Sequence, residues 1–455
     1  MKPIQIIGRL GPSDRTRVAS PREVESVNCL VTDEAHRFTG GLHQAFDELQ
    51  RLGMSPTEIG VDLLVLAAVV HAADTRIQRD THGLDGWTRQ FRLNLPVSDP
   101  QRWAALTERL GRMLRFLTGD IWDLTFRPRP RRSRRIIEAD TGTTRESQVA
   151  PRDFTSLCLF SGGLDSLIGA IDLYADNNTT LLISHASDGP ASTAQDACFR
   201  AMSQHFDGVE RSRAWYQPEK QPRLEGAETT TRGRSFLFFS LAAFAGAGMP
   251  EGTTIHVPEN GLISLNVPLH TLRLGALSTR TTHPFYMRSW NWLLESLGLP
   301  CRVENPYQYQ TKGEMVAGCR EKSLLESVAA DTMSCSSPTK GRWSKLPPQH
   351  CGHCVPCLIR RAAFGAAGWE DATPYTLVDL AGQTLDSERA EGEQVRSFQL
   401  ACRRRAANPE LARLLIYKSG PLPGDTAEIN RLTDVYRRGM AEVDRLLART
   451  RTVRQ

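Results

Sequence analysis

The sequence predicts an α/β protein organised around a parallel sheet, and three features of the chain carry that expectation. In residues 154–368 short apolar runs alternate with helical stretches: "SLCLF" then 165–175, "TTLLISHA" then 192–206, "RAWYQP" then 234–248, and "TTIHVPEN". That rhythm belongs to βαβ units, whose strands pair in parallel beneath helices on both faces. Residues 1–126 mix amphipathic helices with alternating strands and read as an α+β N-terminal domain, while residues 369–455 read as a helical extension.

The N-terminal helices are expected at "GLHQAFDELQRLGM" and "SPTEIGVDLLVLAAVVHAADTRIQR", where apolar residues recur at helical spacing. Ser55-Pro56-Thr57-Glu58 is a helix start, with a capping hydroxyl and a proline in the first turn. "TRQFRLNLPV" and "IWDLTFRPRP" alternate as strands do, with the helix "DPQRWAALTERLGRMLRFLTGD" between them. Residues 127–153, rich in Arg, Thr, Ser and Pro, read as a linker. Its arginine run (Arg127, Arg129, Arg131, Arg132, Arg134, Arg135) is a solvated face or, alternatively, a track for phosphates. In the extension two helical stretches are separated by Gly420-Pro421-Leu422-Pro423-Gly424.

A chain of 455 residues has room for two or three cores. Its net charge of +5 permits contact with nucleic acid without demanding it. The N-terminus lacks the apolar core of a signal peptide, and the most apolar stretches, "LLVLAAVV" and "FLFFSLAAFAGAGM", are shorter than the roughly 20 residues of a membrane span. The expectation is a cytoplasmic protein without a membrane partner, in which ten cysteines do not form a disulfide framework.

The first chemical constellation is "LCLFSGGLDSL". The strand ends at Phe160, and Gly162 and Gly163 let the backbone curl closely around a ligand. The helix that follows begins near Leu164 and turns its free N–H groups and positive dipole end to the curl. Ser161 and Ser166 add hydroxyls, so Ser161, Gly162, Gly163, Leu164, Asp165 and Ser166 together form a nest for a polyphosphate. Asp165 is costly beside phosphates unless a cation joins it, and Mg²⁺ bridging it to ATP oxygens resolves the conflict. The G-x-x-x-x-G-K-[ST] loop of the common NTPases is absent from the sequence.

The second constellation is Cys335, Cys351, Cys354 and Cys357. Two successive C-x-x-C steps put three sulfurs on one tight loop, and Cys335 returns as the fourth. Four thiolates suit a closed, structural Zn²⁺, with an iron–sulfur cluster as the rival occupant. His350 and His353 read as bystanders or as donors to the sulfurs.

The string S-G-G-x-D-S resembles the PP-loop of the N-type ATP pyrophosphatases. Together with the C…CGxCxxCxxR segment it resembles the QueC family, the 7-cyano-7-deazaguanine synthases, over about residues 154–365. "TTTRGRSFLFFSLAAFAGAG" is similar to that family's Arg-Asn-x-x-Phe-Leu-Ser helix, with Gly233 where the family has Asn. "TKGEMV" (Thr311–Val316) is similar to its Lys-x-Glu step, and Arg360 stands at its expected place. The resemblance implies a HUP-type domain (adenine nucleotide alpha hydrolase-like) that takes ATP, Mg²⁺ and Zn²⁺. It implies adenylation of a 7-carboxy-7-deazaguanine-like carboxylate, followed by transfer to nitrogen. Asp165 and Ser166 would act at the nucleotide, Arg232, Arg234 and Lys312 would neutralise the leaving phosphates, and Glu259 and Asn260 would read the base. The long arms, with "FLTGD-x-W-x-L-x-F" in the first, resemble the QueC-like proteins of Qat-type anti-phage defence operons. That resemblance implies an acceptor amine at the N-terminus of a partner protein encoded in the same operon. The alternatives are free 7-cyano-7-deazaguanine synthesis, a tRNA-modifying PP-loop enzyme, and an ATP-holding subunit without turnover.

Overall fold

The computed structural model describes residues 3–19, 24–35, 37–137, 153–186, 189–223, 225–269, 280–422 and 424–454. Most of the expected linker (138–152), part of the stretch compared with the family's base-reading region (270–279) and Pro423 lie outside these residues.

The N-terminal sheet contains β1 (Ile4–Leu10), β2 (Glu25–Thr32), β3 (Gln90–Val97) and β4 (Ile121–Pro128) in the order β2-β1-β3-β4. All its pairings are parallel. Parallel neighbours need long crossovers. Helices α1 (His43–Arg51) and α2 (Glu58–Arg76) lie in the connection from β2 past β1 to β3, and α3 (Thr107–Thr118) in the crossover from β3 to its neighbour β4. The domain is therefore α/β rather than the α+β that its alternating strands suggested. Thr57 caps α2, accepting from the Gly60 N–H at 3.2 Å, so Pro56 precedes the cap instead of standing in the first turn.

The central sheet contains β5 (Ser156–Leu159), β6 (Thr180–Ala186), β7 (Glu210–Trp215), β8 (Thr253–His256) and β9 (Cys301–Glu304), again all parallel. Its order is β7-β6-β5-β8-β9. From β5 the chain builds outward through β6 and β7, then returns to build the other way through β8 and β9. The order thus reverses between β5 and β8, and such a switch point opens a crevice at the carboxyl ends of the two strands. Around the sheet lie α4 (Leu164–Ala175), α5 (Gly189–His205), α6 (Arg234–Gly246), α7 (Gly261–Leu265), α8 (Pro284–Leu297), α9 (Lys312–Gly318) and α10 (Val355–Ala367). The extension adds α11 (Ala390–Ala407) and α12 (Thr426–Leu447), and a short parallel pair, β10 (Thr384–Asp386) with β11 (Arg451–Val453). Among the described residues no helix is long and apolar enough to cross a membrane.

Helix α2 is apolar on every side and buried from Gly60 to Asp74. A helix of that kind needs cover all round. It lies between the N-terminal strands and α6, within one core that runs through both sheets. Its two buried acids collect donors from several elements. Asp62 accepts from the Ser98 N–H (2.8 Å), the Trp103 indole (3.2 Å) and Arg129 Nε (2.9 Å). Asp74 pairs with Arg89 at 2.8 Å and accepts the backbone N–H groups of Arg232 and Gly233, each at 2.6 Å. Arg127 pairs with the buried Asp14 at 2.8 Å. Arg127 and Arg129 are therefore internal ties, and neither belongs to a solvated face or a phosphate track.

Removing one acid from such a network leaves a buried guanidinium short of counter-charge. Asp74→Ala is expected to cost about 3 kcal/mol in chemical denaturation. Asp123→Ala, which removes an exposed carboxylate 3.8 Å from Arg92, is expected to cost under about 0.5 kcal/mol. Equal costs for the two variants would refute the role given to Asp74.

Candidate functional site

The segment after β5 forms a tight turn at the switch point. Gly162 has φ +80°, and a side chain there would strike the Gln195 backbone N at 2.7 Å, so both conformation and space call for glycine. Gly163 is the N-cap of α4 and offers no side-chain cap, which leaves the first-turn N–H groups to other partners. The partners in place are hydroxyls at long range. Ser161 Oγ accepts from the Gly163 N–H at 3.3 Å, Ser166 Oγ from the Ser161 N–H at 3.2 Å, and Ser334 Oγ from the Leu164 N–H at 3.4 Å. Ser166 Oγ also donates to the Gly163 carbonyl at 2.9 Å. Ser161 is exposed at the mouth of the turn. Donors held by long, rotatable hydroxyl contacts can turn to a shorter, charge-assisted bond with a phosphate oxygen.

Asp165 faces the other way. Its residue is 5 % exposed, and its carboxylate reaches across the switch point to the segment after β8. Oδ2 accepts from the Asn260 backbone N–H (3.0 Å) and from Asn260 Nδ2 (2.7 Å), while Oδ1 meets Lys312 Nζ at 2.7 Å. Burial alone would raise the Asp165 pKa; the Lys312 charge and the hydrogen bonds from Glu259, Lys312 and Asn260 hold it below the usual range. Glu259 is pushed well above its ordinary value, by burial first and then by the charge of Asp165.

Where the sequence suggested a Mg²⁺ bridge, Asp165 Oδ2 is bonded to Asn260, and Oδ1 lies against the Lys312 ammonium without a hydrogen bond of its own. The two arginines expected at the leaving phosphates separate. Arg232 lies over the Trp87 ring (4.1 Å to its centre) and donates to the Thr118 carbonyl at 3.2 Å, so its guanidinium belongs to the N-terminal domain. Burial pushes its pKa down to about 10. Arg234 opens α6 near His71 and His185, whose pKa values are lowered by burial first and also by its charge. His185 lies next to the end of β6, and its carbonyl shares Gln195 Nε2 with the Ser161 carbonyl (3.2 and 3.3 Å).

The four cysteines meet as expected. Their sulfurs all lie within 4.8 Å of one another, with Cys335–Cys354 at 3.9 Å and Cys351–Cys357 at 4.0 Å. Tetrahedral Zn–S bonds of about 2.3 Å imply S···S separations of about 3.8 Å, so the cluster fits a metal ion such as zinc. Backbone N–H groups of Ser337 and Cys351 point at the Cys335 sulfur, both at 3.3 Å, as thiolate ligands require. Neither His350 nor His353 joins the cluster. His350, held neutral by burial with its pKa near 3, instead accepts from the Ser334 N–H at 3.2 Å.

That last bond connects the two constellations. Ser334 holds the Leu164 N–H, and the neighbouring Met333 N–H donates to the Gly162 carbonyl at 2.9 Å. The segment preceding Cys335 is thus laced to the turn after β5. Buried Arg360 fixes the same segment from α10 by donating to Thr332 Oγ1 (2.7 Å) and to the Ala329 carbonyl. Sequence reasoning missed Ser334 and Gln195, for which no local pattern signals a role. It also passed over the capping box Thr311-x-x-Glu314, although that pattern is legible in "TKGE".

Removing the metal should loosen the turn. The native chain is expected to carry one equivalent of zinc by metal analysis, and Cys354→Ser to lose it. With two loop hydrogen bonds at stake, each worth about 1 kcal/mol, amide hydrogen exchange at Leu164 and Met333 should quicken roughly thirtyfold in the variant. Unchanged exchange in a metal-free variant would disprove the coupling. Compared with protein-family models the chain matches none, and the search of curated proteins finds no match.

Proposed function

We propose that the chain is an ATP-dependent carbon–nitrogen ligase that adenylates a carboxylate and passes the acyl group to an amine. One observation carries this reading: a glycine-dependent turn with exchangeable donors stands at the β5/β8 switch point and is laced to a four-cysteine metal loop. The turn supplies backbone and hydroxyl donors for the phosphates. Asp165 fixes Lys312 at the same crevice, and an ammonium with three N–H donors keeps capacity for a phosphate oxygen after one is given to Asp165. A cation so held favours the departure of pyrophosphate.

In the proposed reaction a substrate carboxylate oxygen attacks the α-phosphorus of ATP and pyrophosphate leaves. An amine nitrogen then attacks the acyl carbon, AMP leaves with the bonding pair, and the amine releases a proton, giving an amide. The resemblance of the two motifs makes a 7-carboxy-7-deazaguanine-type acid the substrate of choice and an operon partner's amino group or ammonia the acceptor. Of the arginine run that an RNA-modifying reading would use, Arg127 and Arg129 are committed inside the N-terminal domain.

The full chain incubated with Mg·ATP and 7-carboxy-7-deazaguanine should exchange labelled pyrophosphate into ATP only when the acid is present. Lys312→Ala should slow exchange about a hundredfold, the scale for one donor lost from a charge-stabilising site. Mass spectrometry with ammonium or partner proteins should show the amide. Exchange that ignores the acid, or no exchange at all, defeats the proposal.

A further inference from the structure

We propose that the C-terminal helix α12 positions the Asp165–Lys312 pair, with Glu442 as the residue through which it acts; the functional weight of this rests on the reading that Lys312 works at the nucleotide. The extension follows the central domain in sequence, yet one face of α12 touches both elements that supply partners to Asp165. Val435, Arg438, Gly439 and Glu442 stand at i, i+3, i+4 and i+7, a single stripe of the helix.

The lower half of the stripe grips the helix that begins with Lys312. The buried Glu442 carboxylate accepts from the Thr311 hydroxyl and, at 3.4 Å, from the Gly313 N–H, the residues on either side of Lys312. The approach is close enough that a side chain on Gly313 would come within 2.6 Å of Glu442 Oε1 and 2.8 Å of Ala366. One turn back, Arg438 donates to both oxygens of Glu314 (2.7 and 3.2 Å) and to the Tyr309 carbonyl (2.8 Å). Glu314 in turn accepts from the Thr311 N–H at 2.9 Å, which closes the capping box. Lys312 is thus the first residue of a helix whose start is held from outside at Tyr309, Thr311, Gly313 and Glu314.

The upper half of the stripe meets α7, which starts directly after Asn260. A side chain on Gly261 would lie 2.8 and 2.9 Å from the Val435 methyls, and one on Gly439 would lie 3.0 Å from Leu262. These contacts leave no slack between α12 and either element. The Lys312 ammonium sits at the tip of a flexible stem, so its 2.7 Å contact with Asp165 is only as well defined as the backbone from Thr311 to Gly313. A misplacement of about 1 Å can cost on the order of a hundredfold in rate, and α12 is what prevents it.

The test uses full-length Glu442→Ala and Glu442→Gln. Acid-dependent pyrophosphate exchange is measured, and lysines are acylated with a succinimidyl ester and quantified by peptide mass spectrometry. Glu442→Ala should lower kcat about tenfold or more, with the KM for ATP changed less than about twofold. Lys312 should acylate at least about tenfold faster, while Lys322 and Lys340 keep their native rates. Glu442→Gln, which retains a carbonyl oxygen for the Thr311 hydroxyl, should recover most of both effects. Native kcat with native protection of Lys312 in Glu442→Ala overturns the proposal, as does equal acceleration of every lysine, which marks general loosening. If Lys312 is unprotected in Glu442→Ala while Lys312→Ala turns over normally, the positioning stands and the role of Lys312 at the nucleotide falls.

Discussion

A carboxylate taken out of water must be met by charge and hydrogen bonds, or it protonates or drives the fold apart. Asp165 is buried at the point where the central sheet reverses its strand order, and it is met from two directions: by Asn260 after β8, and by Lys312 at the start of α9. Three chain segments distant in sequence are thereby fixed to one side chain. Because Asp165 is the second residue of α4, its attachment also sets the direction of that helix's first turn. The face left open toward the crevice is made of backbone N–H groups and the hydroxyls of Ser161 and Ser166, with no carboxylate among them. The acid stays off that face, and its negative charge is spent on holding a cation at the same crevice.

The N-terminal domain repeats this solution. An apolar helix, α2, lies between two layers, and each of its ends carries a buried acid that gathers donors from whatever packs against it. Asp62 collects Ser98, Trp103 and Arg129; Asp74 collects Arg89 and the backbone that begins α6. Asp74 therefore ties the N-terminal domain to the central sheet through main-chain N–H groups. Side-chain identity at Arg232 is secondary to that tie, and its guanidinium is free to lie on Trp87. Gly233, which stands where the resembling family has Asn, sits against the Asp74 side chain at 3.2 Å from where its Cβ would be. A branched or longer side chain would disturb the contact.

What was legible in the sequence was what local chemistry dictates. The turn at Ser161–Ser166 announced itself by adjacent glycines at a strand exit, the metal cluster by its C-x-x-C spacing, α2 by its apolar run and start signal, and four central strands by their alternation with helices. β9 was not anticipated, and β1, buried along nearly its whole length, showed no alternation to read. The arginines were misread for a physical reason. A guanidinium in a sequence carries no mark of whether its partner is a ligand or an aspartate a hundred residues away, and Arg127 found Asp14 while Arg129 found Asp62. The same limit hid the occupation of Asp165: Asn260 and Lys312 were both recognised as site residues, but nothing in their spacing says that they converge on one carboxylate.

The metal loop and the turn after β5 divide one task between them. The turn's donors are closed by hydroxyl contacts of 3.2–3.4 Å, too long to hold a shape firmly and for that reason easily exchanged. Its shape must therefore come from outside. Residues 332–335 provide it through Met333 and Ser334, yet these residues are in no helix or strand. Their own position is set at one end by Arg360, bonded to Thr332 and Ala329, and at the other by the sulfur of Cys335. A metal at the four sulfurs would clamp that second end with bonds far stronger than any hydrogen bond in the chain. Its effect would then be felt at the turn without the metal touching a ligand there, which is what a closed four-sulfur site with no open coordination position permits.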